Sequence, residues 1–490
     1  MLKVTKIKQK REESSMNSIQ QIVVKTLDVI CKTIQNISLD NVGKLANTLQ
    51  PAANNMILEI LKVCIEEMDN ALVIAAKAQR RAEGITIKER EVERCVLTDL
   101  GELHYRRTYF MLPDRTYAYL VDYLIGVEAY ERVTKEFIAE ILQLSTVKSY
   151  QQAVDFKGQA LSRQTVHNRL VVLKDLAVPV TKAAETPEKL DIFADEDHAH
   201  LNPKGEAIIP LVTITEGIDT RKPKRHKTVN PLHIGAYAMS AEAFRNNVVT
   251  VINERYDLDK VQQINVHGDG GPWIKGLQEN IPHSRFVMDG YHLEKAMRAF
   301  LKLEGARHYA KVIRDCMSRE DGYENFEKYC KRILDRQKSE EGREKVRKFV
   351  GYCAGHWDSI VLRMKGETCG SCTESQISHV LSERLSRDPI AWSEAGLNRM
   401  TMLVVYTKNG GKVQGEDVRI RKDERACSHY VNQGFARYRE YADRQANEVL
   451  KAKYDWGIFE HEYADFGKID FAHLVRKSFG SVQSLSQLVS

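Results

Sequence analysis

Residues 263–295 read QINVHGDGGPWIKGLQENIPHSRFVMDGYHLEK, and this stretch decides the fold that we predict. It holds two short apolar runs, Ile264–Val266 and Arg285–Met288, each followed closely by an aspartate and a glycine. Short runs of this kind are typical of buried parallel strands, which deliver polar side chains to the carboxyl edge of a sheet. The sequence therefore predicts an α/β domain with Asp269 and Asp289 at one sheet edge.

The chain before this stretch supplies further strands and more acids. The apolar run Leu190–Ala194 leads directly into Asp195, Glu196 and Asp197. Since alternate residues of a strand share a face, Asp195 and Asp197 are equivalent candidates for a site at this edge, and Glu196 is a third. Further elements are predicted before residue 263, namely strands at 207–213 and 233–238 and a helix at 241–255.

A third acid is predicted after a long helical insertion. Residues 296–365 are densely charged and have helical spacing, and Thr373 is predicted to cap a helix over 374–385 that carries Glu374. Distant carboxylates held on rigid elements suit Mg²⁺, with Mn²⁺ as a substitute. Two such ions can hold the attacking and leaving oxygens of a phosphodiester in line. Asp195, Asp269 and Glu374 therefore form a candidate site for metal-dependent cleavage.

Other interpretations of these residues remain open. His198 and His200 form an HxH pair of the kind that binds zinc in metallohydrolases, although no further histidine cluster completes it. The glycines around Asp269 have neither GxGxxG spacing nor a following Lys-Ser/Thr, which disfavours nucleotide binding. An acid at a strand end is also often only a helix cap.

Two basic segments are candidates for DNA contacts. Residues 147–154, a turn at 156–158 and a helix beginning after Ser162 have the pattern of a helix-turn-helix, or of ordinary surface helices. Val166, Leu170 and Leu173 share one face of the second helix, which leaves Arg163, Gln164, His167 and Arg169 outward. A second basic run, at a predicted hairpin tip, suits phosphate contacts or a solvated loop and contains Arg221, Lys222, Lys224, Arg225 and Lys227.

The N-terminal third has simpler patterns. Apolar residues recur at helical spacing over residues 17–83, which predicts an amphipathic helical arm for interaction or dimerisation, and Gly84 breaks this pattern. Residues 94–110 alternate, and Asp99–Gly101 between the two halves predicts a small hairpin that carries Arg106 and Arg107.

The overall composition limits the classes of partner and location that we expect. The 490 residues carry 73 Lys and Arg against 67 Asp and Glu, an excess too mild to indicate nucleic-acid binding by itself. The chain has no unbroken apolar run long enough to span a bilayer, so we expect no membrane partner and a cytoplasmic location. Its nine cysteines include one CxxC, Cys369 and Cys372, without an evident second ligand pair, which favours free thiols over a structural zinc site.

A family resemblance joins the acidic motifs. Its segments are DEDHAHL at 195–201, HGDGGPWIKG at 267–276, FVMDGYHLEKA at 286–296, CTESQISHVLSERLSRDPIAWS at 372–393 and SRQTVHNRL at 162–170. Together these resemble the bacterial insertion-sequence transposases of the ISLre type, relatives of the Mutator class.

The resemblance implies an RNase H-like catalytic domain with an Asp-Asp-Glu metal triad. Asp195, Asp269 and Glu374 match the three acids, with Glu383 and Glu394 as alternatives for the third. Asp289 and His292 match a DxxH motif that supports the site, and we give Asp197 a supporting role as well.

The function implied is that of a DNA transposase. It would bind terminal inverted repeats, cleave with two Mg²⁺ ions, join the exposed 3′-OH to target DNA, and act as a homo-oligomer, since two ends must be joined. The alternatives are an inactive DNA-binding descendant, a zinc metallohydrolase using His198 and His200, and a host nuclease of RNase H type without transfer activity.

We expect an α/β catalytic core combined with all-α regions. The segments are 1–90, a helical arm for possible oligomerisation; 91–186, a hairpin and helix-turn-helix for DNA binding; 187–298, the first part of the core; 299–365, the helical insertion; 366–424, the second part of the core with the Glu; and 425–490, a helical tail.

Overall fold

The computed structural model describes residues 22–33, 42–74, 77–82, 84–113, 115–158, 160–203, 205–221, 227–366 and 368–419. They fall into two compact units, which divide after Ile138. The hairpin and the helix pair that we grouped in segment 91–186 therefore lie in different units. The predictions for residues 17–21, Cys427 and the tail 425–490 lie outside the described residues.

The first unit is a three-stranded antiparallel sheet, order β1-β2-β3, with a long helix packed on its central strand. Its elements are α1 at 22–33, α2 Val42–Ile74, α3 Lys77–Ala82, β1 Thr86–Thr98, β2 Gly101–Met111, β3 Tyr117–Tyr119 and α4 Leu120–Leu124. Leu58 and Ile65 of α2 share a buried core with Val96 and Leu103 of the sheet. The predicted hairpin is confirmed, because Thr98 pairs with Gly101 across a two-residue loop.

The basic pair of this hairpin has two different environments. Arg107 is only 7% exposed, forms an ion pair with Asp122, and lies 3.5 Å from the centre of the Tyr119 ring. Arg106 is exposed, and its guanidinium lies 3.3 Å from Glu91. Arg107 is thus part of the core of the first unit.

The second unit is built on a six-stranded mixed sheet, which makes it a mixed α/β fold. Its strands are β4 Lys189–Leu201, β5 Glu206–Thr215, β8 Leu232–Gly235, β9 Gln263–Gly268, β10 Ser284–Met288 and β11 Ala391–Trp392, and a separate ribbon contains β6 Ile218–Asp219 and β7 Lys227–Thr228. The order is β10-β9-β4-β5-β8, with β11 beside the end of β4. β10, β9 and β4 run parallel, as predicted from 263–295, whereas β5 is antiparallel to β4 and to β8.

The two faces of this sheet have different partners because strand side chains alternate. Leu190, Ile192 and Val266 lie in one core with side chains of α8 and α9. On the other face, α15 packs against β4 and α17 packs against β8. Asp191, Asp195 and Asp197 alternate with the first set, so they lie on this second face.

Helices surround the sheet. Those of the second unit are α5 Lys135–Leu144, which spans the division, α6 Tyr150–Lys157, α7 Arg163–Val171, α8 Ala241–Arg255, α9 Pro272–Glu279, α10 Gly290–Phe300, α11 Ala310–Met317, α12 Tyr323–Arg336, α13 Glu340–Gly355, α14 Trp357–Met364, α15 Thr373–Ile377, α16 Glu383–Leu385 and α17 Glu394–Lys408. A π-helical segment, Ser378–Ser382, joins α15 to α16.

The helices α11–α14 occupy the predicted insertion and have a core of their own. Ile313, Phe326 and Phe349 are buried in it, together with Met288 at the end of β10. The insertion is therefore packed directly on the strand that ends at Asp289. Within the described part of the chain, no helix is both long and apolar enough to cross a membrane.

Candidate active site

Asp195 and Asp269 are neighbours across two parallel strands. The ladder between β4 and β9 pairs Phe193 with His267 at its last position. Asp195 lies two residues further along β4, and Asp269 is the first residue after β9. The two carboxyl groups are within electrostatic range, because the charge of Asp269 contributes to the raised pKa of Asp195. Our expectation that Asp195 follows the end of its strand is wrong: β4 continues to Leu201, because its pairing with β5 extends beyond the end of β9.

The Asp195 carboxyl is partly buried, and burial is the main reason that its pKa is raised to about 6. The charges of Asp269 and Asp289 raise this pKa further, whereas the Glu196 N–H and the His292 ring lower it. The Glu196 N–H donates to Asp195 Oδ1 over 2.9 Å. This carboxylate thus lies in a concentration of negative charge that a cation would relieve.

Asp269 is exposed, and its Oδ1 accepts a hydrogen bond of 2.8 Å from the Gly271 N–H. The intervening Gly270 has a φ of +91°, and a Cβ there would overlap the ring of His356 from the insertion. Glycine is required at 270 for both reasons. The GDGG motif therefore forms a tight loop that presents Asp269 outward.

Asp289 is fully buried, and both of its oxygens are occupied. Oδ2 caps α10 by accepting from the N–H groups of Tyr291 and His292, and the His292 ring nitrogen lies 3.2 Å away. Oδ1 accepts from the hydroxyls of Ser371 and Thr373. These bonds overcome the effect of burial and hold the pKa of Asp289 far below its usual range. Asp289 is therefore an ionised anchor that caps α10 and holds the 371–373 segment.

His292 interacts both with Asp289 and with the charges of Asp195 and Asp269. Its hydrogen bond with Asp289 raises the pKa of the imidazole, and the charges of Asp195 and Asp269 act in the same direction. A protonated His292 places one positive charge beside three carboxylates. It lowers their mutual repulsion without covering the exposed face of Asp269.

Glu374 lies in the first turn of α15, exposed to solvent. The prediction that Thr373 caps this helix is wrong: Cys372 occupies the cap position, and the Thr373 hydroxyl instead donates to Asp289 over 2.6 Å. Since Ser371 also bonds to Asp289, two of the three residues before Glu374 are tied to the end of β10. The sheet edge thus fixes where α15 begins.

The alternative third acids lie elsewhere. Glu383 carboxylate oxygens lie 3.6 Å from Arg387 and 3.7 Å from Lys408. Glu394 follows β11, which pairs with Leu201, and six residues of strand separate Leu201 from Asp195 by about 20 Å. Neither acid has the placement of Glu374.

Asp197 fixes the C-terminal part of the helical segment that begins with α15 and continues through Ser378–Ser382 to α16. It is buried, and its Oδ1 accepts from the hydroxyls of Ser382 at 2.9 Å and Ser386 at 2.8 Å. The π-helical segment ends at Ser382, so this bond fixes the irregular turn against β4. Asp197 therefore positions a helix through Oδ1, while its Oδ2 is buried without a hydrogen-bond partner among the described residues.

The proposed helix-turn-helix differs from expectation. The first helix is Tyr150–Lys157 rather than 147–154, and Gly158 ends it in a left-handed conformation. Arg163 and Gln164 are exposed as predicted, but His167 is not outward: it contacts the Ser393 hydroxyl at 3.3 Å, because α7 packs against α17. Arg169 is half-buried.

The second basic run is only partly described. Arg221 is exposed and bonds to Asp219, and Lys227 is exposed at the start of β7. Lys222, Lys224 and Arg225 lie outside the described residues.

A basic groove beside Glu374 was not among the features predicted from the sequence. It has a volume of about 860 Å³ and is lined by α10 on one side and by Glu374 and neighbouring residues on the other. Lys295, Arg298 and Lys302 line it, and all three are exposed. Lys295 and Arg298 are three residues apart on α10, and Lys302 lies in the turn just after this helix ends at Phe300.

The HxH pair is not part of a metal cluster in the described residues. His198 and His200 are exposed, and His198 lies 3.3 Å from Glu206. By strand alternation they lie on the face opposite Asp195. Groups of three potential ligands do occur in the described chain at Cys95–Glu102–His104 and Asp191–His267–Cys369, and neither includes the HxH pair.

Comparison with known proteins shows the family. Residues 39–423 match the sequence profile of UPF0236, described as an uncharacterised protein family. The chain belongs to the UPF0236 family. The matched range contains Asp195, Asp269 and Glu374.

UPF0236 relatives match over most of their length. A protein from Caldanaerobacter subterraneus subsp. tengcongensis is 30% identical over 397 residues, which cover 80% of this chain and 83% of the relative. Its name joins eleven locus designations. A second protein from that organism is 28% identical over 421 residues, covering 85% and 88%. A Streptococcus gallolyticus protein, named for the vanSb 3′ region, is 23% identical over 409 residues, covering 79% and 86%.

Proposed function

We propose that this UPF0236 protein is a DNA transposase with an RNase H-like catalytic domain. It would cut phosphodiester bonds at the ends of an insertion sequence and join the 3′ ends to target DNA. The observation that carries the proposal is that Asp195 and Asp269 follow the paired stretch of the neighbouring parallel strands β4 and β9 and interact electrostatically, with the start of the Glu374 helix anchored to the same sheet edge.

The strand order supports the fold part of the proposal. Three antiparallel strands, β4, β5 and β8, are followed by β9 and β10, which add in parallel on the other side of β4. This is the order expected of an RNase H-like sheet, in which the first and fourth strands are central neighbours. Those two strands carry Asp195 and Asp269.

The carboxylate oxygens of Asp195 and Asp269 are suitable ligands for hard divalent cations. Among the described contacts, Asp195 and Asp269 each accept one backbone hydrogen bond through Oδ1, which leaves Oδ2 of each for a cation. Carboxylate oxygens with open positions are what Mg²⁺ and Mn²⁺ prefer. When bound, two such ions would supply an activated water or 3′-OH and a stabilised leaving oxygen.

The protein's own groups have defined tasks in this proposal. Asp195 and Asp269 would hold the cations, and Glu374 of α15 would be the third carboxylate ligand. His292 balances the charge of the carboxylates. Lys295, Arg298 and Lys302 would contact the DNA backbone, because exposed cations along one groove release counterions when they meet phosphates.

The relative with eleven locus designations also supports a mobile element. A protein whose name spans many loci of one strain is what a self-copying DNA element leaves behind. For the present chain, this argument rests on family membership and adds to the geometry.

The test is cleavage and joining with DNA that carries the ends of the element. Purified protein with Mg²⁺ should nick the end and join its 3′-OH to a target plasmid, and Asp195→Asn, Asp269→Asn and Glu374→Gln should each lose both products. Glu394→Gln and Asp259→Asn are matched controls with exposed acids outside the site and should retain both.

Other outcomes separate the alternatives. End-specific binding without cleavage in the wild type would indicate an inactive DNA-binding descendant. Cleavage without joining would indicate a nuclease. If Glu383→Gln loses activity while Glu374→Gln retains it, the assignment of the third acid is wrong.

A further inference from the structure

A second group of potential ligands lies deeper on the same sheet face. His267 Nε2 lies 2.9 Å from Asp191 Oδ1 and 3.9 Å from Cys369 Sγ, and one ligand atom from each residue lies within 4.8 Å of the others. His267 is fully buried, and Asp191 nearly so. Asp191 precedes Asp195 by four strand residues, or about 13 Å, so this group is separate from the open carboxylates.

We propose that Asp191, His267, Cys369 and Cys372 form a structural zinc site that fastens the 369–372 loop to the sheet. The proposal concerns the folded chain and does not depend on transposase activity.

The ligand chemistry selects zinc. Thiolate, imidazole and carboxylate together suit a borderline-soft ion with tetrahedral geometry, whereas Mg²⁺ prefers oxygen ligands alone. Four atoms bound to one zinc ion at normal bond lengths lie about 3.3 to 3.8 Å apart. The observed separations of 2.9 and 3.9 Å therefore need only small adjustments to receive it.

The fold supplies the ligand pair that the sequence did not reveal. A CxxC commonly gives two zinc ligands, and here the first of the pair, Cys369, lies against Asp191 and His267 from the adjacent strands β4 and β9. Cys372 follows Cys369 by three residues, which is the spacing from which both thiols of a CxxC bind one zinc ion. We therefore assign Cys372 as the fourth ligand.

A supporting contact is already in place. Asn265 Nδ2 donates to Asp191 Oδ1 over 2.9 Å, which orients the carboxylate from behind. Outer hydrogen bonds of this kind fix ligand geometry in zinc proteins. The Phe193 ring stacks on His267 with centroids 4.7 Å apart, which holds the imidazole plane.

Cys369 and Cys372 are both free thiols, as zinc ligands must be.

The site would act on the loop that leads to α15. Ser371 lies between the two cysteines, and Thr373 follows them, and both donate to Asp289. Bound zinc would attach this short segment to the sheet at a second point. We therefore expect residues 369–372 to be more rigid when zinc is bound.

The experiment measures zinc in the full-length protein, purified without metal-affinity tags and exchanged into metal-free buffer. Mass-spectrometric metal analysis should find about one zinc per chain in the wild type, as a closed tetrahedral site retains its ion. Cys369→Ser and Cys372→Ser should each lose most of it. Cys353→Ser, which changes a buried thiol in the insertion, should retain it.

A second control addresses surface binding. Cys95 lies in the exposed Cys95–Glu102–His104 group, so Cys95→Ser should also leave the zinc content unchanged. If Cys95→Ser loses the ion and Cys369→Ser keeps it, or if the wild type holds none after incubation with zinc, the proposal is wrong.

Cobalt substitution tests the wild type without relying on a variant that folds poorly. Cobalt bound by two thiolates in tetrahedral geometry gives a near-ultraviolet thiolate charge-transfer band and intense visible bands. Their presence at one cobalt per chain, with loss on adding excess zinc, is the expected result. Weak visible bands without charge transfer would mean that the thiols are not ligands.

Discussion

The strands β9 and β10 end alike in sequence and differently in structure. Each is followed by an aspartate and a glycine, yet Asp269 is exposed with one backbone donor, whereas Asp289 is fully buried with both oxygens occupied. The difference shows that surrounding donors decide the role of a strand-end acid. A carboxylate that is saturated by N–H and O–H groups fixes structure, and one with an unoccupied oxygen can bind a cation.

The largest effect on stability should come from Asp289→Asn. The amide cannot accept from all the donors that surround the carboxylate, so buried N–H and O–H groups would be left without an acceptor. Each buried donor without a partner costs about 1 to 3 kcal/mol, so the total loss should be about 3 kcal/mol or more. Three of the four tryptophans lie in the second unit, so thermal unfolding followed by tryptophan fluorescence should show it. A loss below that of Asp269→Asn would contradict the anchor role.

Asp195→Asn should instead increase the stability of the metal-free protein. The pKa of Asp195 is about 6 in the folded chain against an ordinary 3.8, so folding opposes ionisation. Below pH 4 both states keep the proton, and the substitution changes little. Between pH 4 and pH 6 the unfolded chain ionises before the folded one, so the wild type loses this stability progressively and has lost it at pH 8. The full shift corresponds to about 3 kcal/mol, and solvent screening of this partly exposed group lowers the expected advantage of the variant to about 2 kcal/mol.

The control for that prediction is added Mg²⁺. The ion binds the folded wild type and should raise its melting temperature, while Asp195→Asn should respond weakly. An advantage of the variant that is equal at pH 4 and pH 8 would show that the carboxylate charge is not its cause.

Thr373→Val should have a smaller effect. Valine keeps the shape of this buried side chain and removes one hydroxyl bond to Asp289, which costs about 1.5 to 2 kcal/mol for a charged acceptor. In the nicking assay, activity should fall more than stability accounts for, because the start of the Glu374 helix loses a fastening. Hydrogen exchange at residues 371–376 is the measurement, with Thr250→Val on the exposed face of α8 as a control.

Asp269→Asn should have the smallest effect on stability, within about 0.5 kcal/mol, because the side chain is exposed and the amide oxygen can still accept from Gly271. Its unfolding curve should overlie that of the wild type. Destabilisation comparable to that of Asp289→Asn would erase the distinction between the two strand ends.

Local patterns predicted the elements of this fold well. The runs around Ile264 and Val287 form the expected parallel strands, and the helix predicted over 241–255 begins after the capping Ser240. These features depend on neighbours within a few residues, so the sequence carries them directly.

The distinct roles of the acids depend on distant partners. The hydroxyl donors of Asp289 lie 82 and 84 residues further along the chain, and His167 meets a serine 226 residues away. Likewise, β4 extends past Asp195 only because β5 pairs with it. Sequence patterns identified Asp195 and Asp269 as candidate site residues, and the family resemblance implied a supporting role for Asp289, but neither could predict the hydroxyl donors of Asp289 or which face of α7 is buried.

The hydrogen bonds that fix the Glu374 helix to the sheet affect how such a protein can change over evolution. Asp289 holds the residues just before this helix, and Asp197 holds its far half through Ser382 and Ser386. The position of Glu374 is therefore set by the sheet and not by the length of chain that precedes it. The helices over 310–364 can be lengthened, shortened or exchanged as a module, provided that their packing on Met288 of β10, the hydrogen bond from Arg363 to Cys369 and the contact of His356 with Gly270 are kept.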